Sequence, residues 1–121
     1  MVWTIKKGRG RVPPELVEHV DRRLHFALAR FGPRIARATV ALEDVNGPRG
    51  GVDKACRIVV RLRSGGDVVA SVDDVDWHAA VDRATTRIGQ SVAREVMRTR
   101  DVRGLPAAAP RGAPVRSFGG R

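Results

Sequence analysis

Arginine carries the first chemical signal in this 121-residue chain. Between Asp76 and Arg100 (DWHAAVDRATTRIGQSVAREVMRTR), Arg83, Arg87, Arg94 and Arg98 recur at i, i+4, i+11 and i+15. With a helical step of about 100° per residue, that spacing aligns them in one narrow stripe. Gln90 falls on the same line, whereas Asp82 and Glu95 are expected to point elsewhere. Guanidinium groups in file repel one another, and no acid stands at i+4 on the line to relieve them. Uncompensated repulsion suits a surface that takes up a polyanion. A solvated arginine face is the plainer alternative; the exclusion of acids and the charge of the whole chain favour a binding surface. A second basic strip, His19, Arg22, Arg23 and Arg30 with Phe26 among them, lies on the flank of an earlier helical segment. Phe26 is off that segment's apolar stripe. Its expected role is packing against a neighbouring helix rather than stacking on a base.

Other chemical groupings are sparse. Asp73, Asp74, Asp76 and His78 form an acid–histidine cluster that a metal site or a small enzyme would require. Acids just before a helix far more often cap its first amide groups, and that is the expectation here. Tyrosine is absent and no serine sits in a nucleophile elbow. Asn46-Gly47-Pro48-Arg49-Gly50-Gly51 has the composition of a phosphate cradle. It stands between two strands, whereas phosphate loops run from a strand into a helix. A wide hairpin turn is expected, with Arg49 as an extra anion contact. Cys56, the single cysteine, permits neither an intrachain disulfide nor a cysteine-based zinc site, and should be a small buried hydrophobe. No catalytic residue, metal, cofactor or small-molecule substrate is expected.

The elements that must position these arginines are legible in the apolar pattern. Trp77, Val81, Ala84, Ile88 and Val92 form the core-facing stripe of the last helix. Pro13-Pro14 opens the earlier one, with Glu15 and Glu18 at its positive end, and Gly32-Pro33 stops it after Phe31. Its apolar stripe is Leu16, Val20, Leu24, Ala27, Leu28 and Phe31. A short first strand is expected near Trp3–Lys6, followed by a basic connector through Arg11 that is either a phosphate-gripping mobile arm or a solvated loop. Ile35–Glu43 alternates, with Ala36, Ala38, Val40 and Leu42 to one side. Lys54–Arg63 alternates again, with Cys56, Ile58, Val60 and Leu62 inward, and Ser64–Asp67 turns into a strand at Val68–Val72. The order is β-α-β-β-β-α. One apolar side per strand and one stripe per helix make an α+β fold, a four-stranded sheet with two helices packed on one face. Both basic strips would then lie on the outer surface of the helix pair as one continuous positive ridge.

A formal net charge of +10 and a pI near 11.5 imply an acidic partner, nucleic acid before anionic membrane. Membrane binding would need an apolar helical face free to insert, and both faces here are committed to a core. The N-terminus lacks the apolar segment of a secretory signal, so a cytoplasmic protein is expected. After Arg100 the periodicity ends, and 101–121 reads as a flexible basic tail of Ala, Pro, Gly and Arg behind a domain at 1–100.

Helix one (ELVEHVDRRL and ARF), the central LEDVNGPRGGVDKACRIVVRL and Asp74–Arg98 resemble the ribosome hibernation promoting factors, also called ribosome-associated inhibitor or sigma-54 modulation proteins. The acidic-aromatic-Ala-hydrophobic-Asp pattern of Asp76–Asp82 is the sharpest part of the likeness, which runs from Val2 to Arg100. The resemblance implies a translation inhibitor that lodges in the decoding channel of the small ribosomal subunit. It would contact ribosomal RNA through both helices and block the messenger and transfer RNA sites. By position, Arg23, Arg87 and Arg94 match basic positions of that family; Arg22, Arg30, Arg83 and Arg98 extend the surface by helical geometry. Gln90 and Glu95 stand where some members are basic. The tail is too short for the second domain with which long members dimerise ribosomes, so inactivation of single ribosomes by a monomer is expected. A double-stranded-RNA module is the rival reading, although Asp73, Asp74 and Asp76 stand where such modules place lysines.

Overall fold

The structure, a computed structural model, describes residues 3–45 and 53–104, with side chains through Arg98. Strand β1 (Trp3–Lys7) leads to helix α1 (Pro14–Leu28), then to strands β2 (Ile35–Asp44), β3 (Lys54–Leu62) and β4 (Asp67–Asp74), and finally to helix α2 (Trp77–Gly104). The sheet order is β1-β2-β3-β4. β1 runs parallel to β2, and the other neighbours are antiparallel. This is the expected α+β arrangement.

Alternation places the core. Val40 and Leu42 of β2, Cys56, Ile58, Val60 and Leu62 of β3, and Ala70 and Val72 of β4 turn to the same side. There they meet Leu16, Val20, Leu24 and Leu28 of α1 and Trp77, Val81, Ala84, Ile88 and Val92 of α2. Both apolar stripes read from the sequence are therefore buried in one core. α2 packs over β3 and β4. At the opposite edge of the sheet, the Trp3 indole N–H of β1 donates to Asp21 Oδ1 of α1 at 2.6 Å. Burial pushes the Cys56 thiol up to about 12, in keeping with the expected small buried hydrophobe.

Four local expectations change. Ala36 is exposed rather than inward, because the β2–β3 register shifts between Ile35 and Arg37. One extra residue there leaves Arg37 outward and reverses the facing of what precedes it. The α-helical part of α1 ends at Leu28, and Ala29–Arg34 tightens into a 3-10 helix around Pro33 instead of continuing to Phe31. The basic connector is no mobile arm: Lys6 and Lys7 are in β1, Gly8 N–H donates to Leu42 O at 2.7 Å, and Arg9 O accepts from Asp44 N–H at 2.9 Å. Arg9 also pairs with Glu43 at 2.6 Å. Finally, α2 runs to Gly104, past the expected boundary at Arg100.

At the foot of the β2–β3 hairpin, Lys54 Nζ donates to Asp53 at 2.9 Å and to Asp44 at 3.2 Å. The hydrogen bond to Asp53 leads the causes that hold the ammonium above its usual range. Arg49 and the Asn46–Gly51 turn lie outside the described residues, as does the tail from Leu105 onward. The Ser64–Asp67 turn is tight, as its residues imply. Gly65 and Gly66 take φ of +103° and +89°, which glycine alone adopts without strain.

Candidate nucleic-acid interface

The start of α2 explains the acid–histidine cluster. Asp76 Oδ2 accepts the Ala79 N–H at 2.8 Å, an N-terminal cap. Asp74 Oδ1 accepts the Asp76 N–H at 3.2 Å, and its other oxygen takes Arg83 Nη1 at 2.9 Å. The Arg83 bond, followed by the Asp76 amide, holds the Asp74 carboxyl below the usual carboxylate range. His78 turns away to stack on His19 of α1, with ring centroids 4.5 Å apart and planes tilted by 53°. These three members thus have structural occupations. Among the described residues, no group of three or more His, Cys, Asp or Glu is placed to hold a metal ion.

The arginine stripe of α2 is exposed along its length, and it lies on the flank of the helix next to β4. Arg83 reaches Asp74 at the end of β4, and Arg87 Nη1 donates to the Ser71 carbonyl on the same strand at 3.3 Å. Arg94 Nη2 contacts Ser91 Oγ at 3.3 Å. Arg98 pairs with Glu95, one turn before it. The expectation that the whole stripe is free of acids is therefore corrected. Arg83 and Arg98 have carboxylate partners, whereas Arg87 and Arg94 form no ion pair among the described residues. Glu95 does not point elsewhere; it neutralises the end of the stripe.

The strip on α1 is arranged differently. Arg23 faces α2, where its Nε lies 3.3 Å from Asp82 Oδ1 and its Nη2 lies 3.4 Å from Thr86 Oγ1. The same Asp82 oxygen bonds His19 Nε2 at 2.7 Å. Asp82 is thus the hub of the helix–helix seam, a role that a view of either helix alone conceals. The seam is close-packed further along: a Cβ added at Gly89 would sit 3.3 Å from the Ala27 Cβ. Arg22 is exposed, with Glu18 at 4.0 Å, and Arg30 lies over the Phe31 ring at 4.7 Å from its centroid. Phe26 corrects another expectation. It packs against no helix and is 82% exposed.

The Asp82 carboxylate stands between Arg23 and the Arg83–Arg87 part of the stripe, so the two strips do not join there into one positive ridge. Asp82, Arg83, Thr86, Arg87 and Gln90 line a shallow groove of about 310 Å³ on α2. Its arginine side offers guanidinium donors to an anion. Thr86 and Gln90 add neutral hydrogen-bonding groups, suited to sugar hydroxyls or base edges. Spacing alone aligns Gln90 with the stripe; Thr86 carries no signal in the sequence.

Comparison with known proteins gives consistent results. A family model described as sigma 54 modulation protein / S30EA ribosomal protein matches residues 5–100. Among solved structures, the N-terminal domain of Protein Y from Thermus thermophilus is similar, with 28% identity and a TM-score of 0.58, covering 76% of this chain and 98% of that one. A ribosomal subunit interface protein from Coxiella burnetii shares the fold at 17% identity and a TM-score of 0.59, covering 78% of this chain and 98% of that one. No curated protein sequence is significantly similar to the chain.

Proposed function

The chain belongs to the sigma 54 modulation protein / S30EA ribosomal protein family, and on that premise we propose that it is a translation inhibitor acting on the small ribosomal subunit. In this reading residues 1–100 enter the decoding channel, cover the messenger and transfer RNA sites and keep the ribosome in an inactive store. The basic stretch that follows the end of α2 is an appendage to this domain. The protein acts as a monomer in the cytoplasm, and its work is occupancy rather than catalysis. Arg87 and Arg94 carry the RNA contact, flanked by Arg83 and Arg98. Arg22 contributes from α1 and Arg30 from the 3-10 segment after it, whereas Arg23, held by Asp82 in the helix seam, contributes least of the three.

The observation that carries this reading is the state of Arg87 and Arg94. Both are exposed on one helix flank, and neither is ion-paired among the described residues, in a chain of net charge +10. Phosphate binding would satisfy both without breaking a native ion pair. The test is co-sedimentation with purified small subunits over a range of salt concentrations. Binding should weaken steeply as salt rises, because released counterions drive it. Arg87→Glu with Arg94→Glu should abolish binding and leave thermal unfolding unchanged. Retained binding by a folded double variant removes the proposed surface.

A further inference from the structure

We infer that Phe26 is a stacking platform for an unpaired RNA base, so that α1 reads an exposed nucleotide while α2 grips phosphate. The inference rests on the ribosomal-RNA reading above and goes beyond it by assigning an aromatic site. The described aromatic residues divide sharply. Trp77 is buried, Trp3 packs on the core with its N–H bonded to Asp21, and Phe31 packs on the core beneath Arg30. Phe26 alone among them stands free, at 82% exposure. A single exposed apolar side chain needs no function in itself. The surroundings of this one are what select an occupant.

Arg22 lies one turn before Phe26 on α1, with Glu18 at 4.0 Å, and Arg30 follows Phe26 in the 3-10 segment with its guanidinium over Phe31; both arginines are exposed. A nucleotide presents the matching pair of features: a flat π-face and, a few ångströms away, an anionic phosphate. An apolar pocket on a protein would take the ring equally well. It would then have to bring two guanidinium groups against a surface able to satisfy them, or strip them of water. The exposed arginines on either side of Phe26 along the chain therefore favour a base over an apolar protein pocket. Because α1 turns this shoulder outward beyond the seam, the ring is accessible without any rearrangement of the helix pair.

The experiment titrates small subunits with the full chain and with Phe26→Ala, Phe26→Leu and Phe26→Trp, each at several salt concentrations. Phe26→Ala should weaken binding roughly tenfold, since loss of one base–aromatic stack has that order of effect. Its salt dependence should stay that of the parent, because no cation is removed. Phe26→Leu should be nearly as weak, and Phe26→Trp should restore binding with quenched indole fluorescence beyond that of the parent. Parent-like affinity in Phe26→Ala overturns the inference. So does full rescue by Phe26→Leu, which would mark an apolar pocket. If the parent binds and Arg87→Glu with Arg94→Glu releases it while Phe26→Ala is silent, the stacking site alone has failed. If the parent itself does not bind, the ribosomal reading fails and the stacking site with it.

Discussion

The α1–α2 seam and the β4-side flank of α2 use the same residue type to opposite ends. In the seam, Arg23 is drawn to Asp82, which also holds His19, so its positive charge is committed to joining two helices. On the flank, Arg87 and Arg94 reach a carbonyl and a hydroxyl and form no ion pair among the described residues, so their charges remain available. A basic side chain is a candidate RNA contact when its nearest neighbours leave it charged and uncompensated, whatever its alignment along a helix. Arg83 and Arg98 lie between these extremes, aligned with the flank but each paired with a carboxylate.

Salt dependence tests that contrast most severely. Removing one cation that binds a phosphate should lower the slope of log affinity against log salt by about 0.7–0.9. Arg87→Gln with Arg94→Gln should therefore flatten the slope by nearly two such steps and weaken ribosome binding by on the order of 10–100-fold at low salt. Arg23→Gln should change the slope little. Sedimentation isotherms over a salt series measure both. An Arg23 effect equal to that of either flank arginine would erase the distinction.

Stability should follow the seam instead. Gly89→Val drives side-chain atoms into Ala27, whose Cβ and carbonyl oxygen lie 3.3 and 3.4 Å from the position of the first added carbon. Overpacking of this kind costs about 1–3 kcal/mol, visible as a lower thermal midpoint by circular dichroism. Below that transition the variant should still bind ribosomes, because the flank is untouched. Failure of the folded variant to bind would show that the helix spacing itself is read by the RNA.

How much of this was legible in the sequence follows from the range of each interaction. Periodicities of 2 and 3.6 report which side of an element is buried, so the element order, both helical stripes and the inward set of β3 were all accessible. The bulge at Ala36 was hidden, because one extra residue leaves an alternating pattern looking intact on both sides. Charge compensation was hidden for a different reason. A helical projection places Asp82 relative to its own helix, but its partners come from 63 and 59 positions earlier in the chain, at His19 and Arg23. Asp74 likewise lies on β4, where a projection of α2 cannot register it beside Arg83. Exposed Phe26 broke the apolar stripe in plain view, yet an off-stripe aromatic beside a second helix reads equally as packing.

Removing the hub of the seam sharpens the comparison at smaller scale. Asp82→Asn keeps the shape but frees Arg23 from its ion pair. With Asp82 and Arg23 both partly exposed, the stability loss should be no more than about 1 kcal/mol by urea denaturation. The released charge should tighten ribosome binding modestly and steepen its salt dependence. Weaker binding would mean that Asp82 positions Arg23 for RNA rather than withholding it.

The smallest effect is expected where the two regimes meet, at Arg83. Its guanidinium is the chief reason the Asp74 carboxyl is held below its ordinary value of 3.8. In the acid range just below that value, the unfolded chain binds this proton and the folded chain does not, so stability rises with pH across the interval. The contribution is complete above about pH 4 and disappears as pH falls through the depressed folded value. Arg83→Gln should therefore make the acid limb of the stability–pH curve shallower, read from urea midpoints between about pH 2 and 7. Parent-like steepness would assign the depression to the Asp76 amide, the second contact on Asp74. Ribosome binding should fall less in Arg83→Gln than in Arg87→Gln, because a phosphate reaching Arg83 must compete with a carboxylate already in place.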